Sequence, residues 1–203
     1  MTTCPLTQCK AFIFDMDGTL TVPQHDFDAI RELLGIPEGS LILEYLDALP
    51  PADKQKKRAQ LDKLEAELAA ESQPAPGLFE LLNELRSREI GIAVLTRNSL
   101  SNARISLNAI GALSYFQEQT LVGRDEAEPK PSPAGIELLA PRLGTHAHLC
   151  AMVGDYRHDL EAGTKAGAHS VHIRHQDTPV WPEFTQTCVT DLIELRGLLL
   201  PNH

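Results

Sequence analysis

No apolar run in the 203-residue chain approaches the roughly 18 residues that a membrane-spanning helix requires, so a helical membrane protein is excluded. Basic residues are scarce. Eighteen Lys plus Arg face 28 Asp plus Glu, for a formal net charge of −10. A surface of that sign repels a phosphate backbone, so nucleic acid is not an expected partner, and a small anionic ligand would need a local cationic site. Cysteine is rare as well. Cys4 and Cys9 are spaced C-x4-C, Cys150 lies in the apolar run 149–153 and Cys188 stands alone, so no paired knuckle exists and reduced structural thiols are expected. The amino end lacks both a basic region leading into a long apolar stretch and a small-residue cleavage pattern, and the expected location is cytoplasmic. The histidines show no metal-site pattern either. His169, His172 and His175 fall in an extended-looking stretch where side chains alternate faces, and the pair His146 and His148 lacks a third ligand.

Short apolar runs alternate with longer amphipathic segments, which is the pattern of a parallel sheet flanked by helices. Strands are predicted near 11–15, 91–96, 120–122, 149–154 and 170–173, with a short last one at 188–189. Apolar spacings of three and four predict helices over 78–88, 100–110, 133–143 and 159–166, the later ones stopped by Gly111, Gly144 and Gly167. One connection is too long. From Asp15 to Thr96 the chain runs 81 residues, where a complete βαβ unit takes about 30. The excess holds predicted helices at 28–34 and, with Ser40 as N-cap, at 41–48. After a Pro50-Pro51 break comes a long amphipathic helix at 53–71 with a stripe of Leu61, Leu64 and Leu68. The expected organisation is an α/β, Rossmann-like parallel-sheet core from 1–20 and 77–203, with a small helical cap at 21–76. The basic run Lys54, Lys56, Lys57 and Arg58 reads as a solvated face from which one member could reach a substrate anion.

Four places along the chain carry chemistry. Phe12-Ile-Phe-Asp15-Met-Asp17-Gly-Thr-Leu20 delivers two carboxylates, on one side, at the carboxyl end of a strand, the edge where open α/β sheets bind ligands. Thr96 ends the second strand with a hydroxyl, followed by Arg97 and Asn98. Lys130 sits in the proline-stiffened loop Glu128-Pro-Lys-Pro-Ser-Pro133. Hydroxyl, backbone N–H and ammonium all suit phosphoryl oxygens. Gly154-Asp155 then ends another strand, and Asp159 opens the following helix. Several carboxylates on one edge repel one another, and a hard divalent cation, Mg²⁺, is the natural remedy. Each feature also has an ordinary structural reading: turn aspartates at 15 and 17, a helix cap at Thr96, a surface lysine at Lys130 and a first-turn acid at Asp159.

Taken in order, Asp15-x-Asp17-Gly-Thr-Leu, Thr96, Lys130 and Gly154-Asp155-x-x-x-Asp159 resemble the four motifs of the haloacid dehalogenase superfamily over positions 12–167. The likeness is to its phosphoglycolate phosphatase-like and beta-phosphoglucomutase-like branch, with a helical cap between the first two motifs. It implies a hydrolase of small phosphate monoesters, phosphoglycolate-like or sugar phosphates. Asp15 would be the nucleophile that forms an aspartyl-phosphate and Asp17 the acid and then base. Thr96, Arg97, Asn98 and Lys130 would bind the substrate. Mg²⁺ would sit on Asp15, Asp155 and the main-chain carbonyl of Asp17, whose side chain stays free, while Asp159 orients Lys130 or a metal-bound water. His25, Arg31 and Arg97 are candidates for recognising the organic part of the substrate. A phosphomutase of the same superfamily shares every motif. A phospho-accepting binding module is the remote alternative, since it needs neither Asp17 nor the long insertion. The oligomeric state stays open between monomer and dimer.

Overall fold

The first strand, Ala-Phe-Ile-Phe, is buried along its whole length because side chains alternate into two different cores. Phe12 and Phe14 join one apolar cluster with Val94, Val153 and Leu81, whereas Ala11 and Ile13 join another with Leu95, Ile136 and Met152. A strand covered on both faces reads as a continuous apolar run, and helices must supply the covers. The computed structural model describes residues 3–23, 27–176 and 178–200. Its elements are β1 (Ala11–Phe14), α1 (Phe27–Leu34), α2 (Ile42–Asp47), α3 (Pro51–Ala70), α4 (Leu78–Ser87), β2 (Gly91–Leu95), α5 (Leu100–Ala109), β3 (Leu121–Val122), α6 (Ala134–Arg142), β4 (Cys150–Gly154), α7 (Arg157–Ala166), β5 (His169–Ile173), β6 (Thr187–Val189) and α8 (Leu192–Leu199). No described helix is long and apolar enough to cross a membrane.

All five strand pairings are parallel and the order is β3-β2-β1-β4-β5-β6. This is the expected Rossmann-like α/β core. Phe14 pairs with both Val94 and Val153, so β1, β2 and β4 end level. The chain leaves β1 toward β2 on one side and later returns to β4 on the other. That reversal of direction is the switch point at which open α/β sheets form a crevice.

Helices α1 to α3 build a third apolar cluster of their own, centred on Ile30, Leu34, Ile36, Leu46 and Leu61, with Leu64 and Leu68 packed against it. The leucine stripe is therefore where its spacing puts it. Three local readings change. Ser40 does not cap α2, whose N-cap is Leu41 with no side-chain hydrogen bond. The Pro50-Pro51 pair starts α3 instead of merely preceding it, because a proline at the first helical position has no N–H to leave unpaired. The basic run is a solvated face only in part: Lys56 is exposed, but Lys54 and Arg58 reach Asp47 at 2.9 and 2.8 Å, and Lys57 donates to the Leu34 carbonyl, tying the three helices together. The final stretch supplies β6, where the short last strand was expected, and α8, which was not expected and is capped by Asp191 accepting from the Glu194 N–H.

What joins α3 to the sheet is charge. Arg124, in the loop after β3 and only 5% exposed, donates to Asp62 at 2.6 Å and Glu65 at 2.9 Å, and Asn102 of α5 donates to the same Glu65 carboxylate at 3.1 Å. Removing the cation would strand a Glu65 that is 12% exposed. Arg124→Leu is expected to lower the unfolding free energy in a urea titration by about 3 kcal/mol, the cost of breaking a buried pair from one side. A change below about 1 kcal/mol would mean that the pair contributes no more than a surface one.

Candidate active site

Asp15 follows β1 directly, and its N–H continues the ladder to the Val153 carbonyl at 2.9 Å. The chain then turns back: the N–H groups of Leu20 and Thr21 both reach the Met16 carbonyl, at 2.9 and 3.0 Å. Gly18 makes that turn possible. Its φ is +75°, and a Cβ there would stand 2.2 Å from Asp155 Oδ2, so the backbone of one aspartate loop lies against the carboxylate of the other. Gly154 does the same for α7, since a Cβ at that position would fall 2.3 Å from Asp159 Cβ and Cγ.

Lys130 lies at the centre. Its side chain is 2% exposed, and Nζ sits 2.6 Å from both Asp15 Oδ1 and Asp159 Oδ1. Burial alone would push this ammonium toward neutrality, but the two carboxylates outweigh it and hold its pKa above the usual lysine value. Asp159 is fixed from the other side as well, with Oδ2 accepting from the Tyr156 N–H at 3.1 Å. Thr96 is buried and its Oγ1 accepts from the Asn98 N–H at 3.1 Å. It is not a helix cap, because Ser99 caps α5 by accepting from the Asn102 N–H at 3.2 Å. Asn98 Nδ2 in turn donates to Asp17 Oδ2 at 2.6 Å and positions that side chain at the cavity.

These residues line a cavity of about 300 Å³ between the sheet edge and the helical segment. Asp15, Asp17, Thr96, Lys130 and Asp155 form its floor, while Ile30, Ile42 and Leu61 from α1, α2 and α3 form its roof. Arg97 and Arg31 also face it. Arg97 donates to His158 Nδ1 at 2.8 Å and Glu44 at 2.9 Å, and Arg31 to Asp28 at 2.6 Å and the Ser40 carbonyl at 2.9 Å. His25 lies outside the described residues. Two histidines at the site were not anticipated. His158 follows Asp155 by three positions, and burial together with the Arg97 charge depresses its pKa. His175, in the loop after β5, donates through Nε2 to the Gly18 carbonyl at 2.6 Å and lies 3.8 Å from Asp155 Oδ2. The loop of a strand beside β4 ends at the same sheet edge, and that topology was the one signal available for His175.

Residues 9–167 match the model of the family described as haloacid dehalogenase-like hydrolase. The chain belongs to that family. It is 31% identical over 202 residues to an uncharacterized hydrolase of Saccharomyces cerevisiae, covering 96% of this chain and 92% of the yeast protein. It is 27% identical over 197 residues to phosphoglycolate phosphatase of Mannheimia succiniciproducens, covering 83% and 87%. A solved hydrolase from Pseudomonas syringae shares the fold with a TM-score of 0.77 at 20% identity, over 94% of this chain and 97% of that one.

In this hydrolase one carboxylate oxygen from each of Asp15, Asp155 and Asp159 falls within 4.8 Å of the others, a set of hard donors able to hold a metal ion. Burial pushes Asp15 up to about 6 and Asp155 up to about 8, each raised further by its carboxylate neighbours and held back by Lys130. Such a site asks for positive charge. Because these folded values lie above the ordinary carboxylate range, the metal-free protein keeps protons that its unfolded chain has released, and its stability falls as pH climbs from about 4 to about 8. A divalent cation competes with those protons. Magnesium chloride is therefore expected to raise Tm more at about pH 8.5 than at about pH 5.5 in scanning calorimetry, and equal shifts would contradict this assignment. Lys130→Met should cost about 3 kcal/mol in the metal-free protein, read from chemical denaturation, by leaving Asp15 and Asp159 facing each other.

Proposed function

We propose that this hydrolase is a Mg²⁺-dependent phosphatase that cleaves small phosphate monoesters through an aspartyl-phosphate on Asp15. One observation carries the reading: Asp15 Oδ1 is held at 2.6 Å by a buried Lys130, in a cavity that Asp17 also lines. A carboxylate tied by one oxygen presents the other to an incoming phosphorus atom. The relative named phosphoglycolate phosphatase supports hydrolysis of a phosphate ester, and the cavity of about 300 Å³ suits a small metabolite.

In the first displacement the second Asp15 oxygen forms a bond to phosphorus, the bond from phosphorus to the ester oxygen breaks, and Asp17 gives its proton to the departing alkoxide. Asn98 donates to Asp17 Oδ2 and so holds that carboxylate at the cavity where the leaving group departs. In the second displacement the Asp17 carboxylate takes a proton from water, the water oxygen bonds to phosphorus, and the acyl-phosphate bond breaks to release phosphate and regenerate Asp15. Lys130 and the Thr96 hydroxyl face the phosphoryl oxygens and stabilise the charge that grows on them without having to reorganise. Asp15, Asp155 and the main-chain carbonyl of Asp17 would hold Mg²⁺, whose charge lets neighbouring carboxylates ionise together and neutralises phosphoryl oxygens. Asp159, paired to Lys130, keeps that ammonium aimed at Asp15.

The segment 21–76 acts in this reading as a cap over a core made of 1–20 and 77–203. Its separate apolar cluster and the roof it gives the cavity support that division. Closure excludes water from the first displacement, before a nucleophilic water is wanted.

Phosphate release from a panel of small esters with Mg²⁺ tests the proposal. Asp15→Asn is expected to lower kcat by at least roughly a thousandfold, and chelation of the metal to silence the parent. A variant within about tenfold of the parent would rule out the covalent route.

A further inference from the structure

The cavity presents one guanidinium whose present partner is poorly suited to keep it. Arg97 immediately follows Thr96 at the end of β2, and its side chain spans the gap between the core and α2. One nitrogen, Nη1, donates to His158 Nδ1 at 2.8 Å; the other, Nη2, donates to Glu44 Oε1 at 2.9 Å. Its Nε–H is shut off from solvent and meets no acceptor among the described residues. The two partners differ in kind. A guanidinium has no acceptor, so His158 must receive through Nδ1 and carry its own proton on Nε2. The imidazole is further fixed by the edge of the Tyr156 ring, 5.1 Å away between centroids. His158 therefore orients Arg97 without cancelling its charge. Glu44 does cancel it, but at 54% exposure against 27% for Arg97 this is a solvent-screened pair of the kind worth little. The other cavity guanidinium differs, since the Nε of Arg31 is already taken by the Ser40 carbonyl.

We propose that Arg97, oriented by His158, is the specificity residue that receives a carboxylate on the leaving-group side of the substrate, and that Glu44 occupies this seat in the empty enzyme. Glu44 itself shows that a carboxylate fits there. An entering carboxylate displaces it from Nη2 and can also accept from the vacant Nε–H, a two-point contact that Arg favours and that Glu44 does not make. Swapping one anion for another keeps the guanidinium paired, so the exchange costs little, and the gain is the second hydrogen bond made away from water. The substrate class is a phosphate ester of a short hydroxy acid, its carbon skeleton passing beneath Ile42 and Leu61. His158 is a positioning residue in this scheme, acting through Arg97.

This assignment rests on the phosphatase reading, and a matched pair of substrates separates the two. Phosphoglycolate and ethyl phosphate share a two-carbon skeleton and differ in that the first ends in a carboxylate and the second in a methyl group. The parent is expected to favour phosphoglycolate in kcat/KM by about tenfold or more, and Arg97→Met to bring the ratio near unity mainly by raising KM for phosphoglycolate. His158→Ala should reduce the ratio severalfold, and His158→Asn, whose amide oxygen can take the Arg97 proton, should restore it. A purely structural histidine would lower both esters alike. Glu44→Gln should raise the ratio by up to about fivefold, since the seat then loses its competing charge. Equal handling of the two esters by the parent, or a ratio that Arg97→Met leaves within about twofold, overturns the carboxylate seat while phosphate release keeps the phosphatase reading intact. Absence of phosphate release from both esters and from acetyl phosphate overturns the phosphatase reading and this assignment together.

Discussion

A lysine held almost wholly out of water between two carboxylates sets the terms for everything around it. Lys130 is buried at the end of a proline-flanked loop, and each of its two contacts to Asp15 and Asp159 is 2.6 Å. Taking three charges from water costs several kcal/mol apiece, recovered only where geometry is close and every lone pair and proton is used. The glycines of the site follow from this demand. Asp159 can approach only because position 154 carries no Cβ, and Asp155 can stand against the first loop only because position 18 carries none and turns left-handed. Three strands ending level supply the rigid edge from which the acidic loops depart. The charge arrangement thus dictates the backbone chemistry of four separate segments, which is why motifs far apart in the chain occur together.

Two of the charged contacts between the helical segment and this core differ in strength. At α3 the Arg124 side chain is buried against Glu65 and Asp62, with Asn102 completing the carboxylate's hydrogen bonding. At α2 the Glu44–Arg97 pair is half in solvent. Breaking a buried pair from one side costs roughly 3–5 kcal/mol, whereas an exposed pair is worth about 1 kcal/mol or less. The first contact therefore fixes the back wall of the cavity, and the second is cheap to exchange. The segment's own apolar cluster, centred on Leu61, lets α1 and α2 ride on α3 as a unit.

Features that depend on local pattern were legible in the sequence. The all-apolar β1, the strand-ending positions of Asp15 and Asp155 and the leucine stripe of α3 each follow from a period of two or between three and four, and the structure places them accordingly. Partnerships across the fold were not legible. Nothing near Arg124 in sequence announces Glu65, and His175 reaches the Gly18 carbonyl from 157 residues away. Propensity also misled at Ser40, a good capping residue whose neighbour Leu41 takes the N-cap because α2 starts one residue later. Asn98, expected to bind substrate, lines the cavity, but its hydrogen bond to Asp17 was not visible in the sequence. Beyond β5 only the short strand was read from the sequence, and α8 was not, its eight residues being little more than two turns over which to see a period.

Asp15 and Asp17 are two residues apart, yet the fold brings them different partners, and the proposed chemistry asks different things of them. A nucleophile must stay ionised in a dry site, and the ammonium on one oxygen of Asp15 favours the anion, although burial outweighs it and leaves the carboxyl raised to about 6. An acid must keep a proton until the leaving group departs, and the Oδ2 of Asp17 accepts from the amide of Asn98, which holds this carboxylate at the cavity. Pairs of carboxylates whose environments differ in this way can serve as base and acid at one pH. The strand delivers both side chains to the same edge, where Lys130 and Asn98 reach them from elsewhere in the chain.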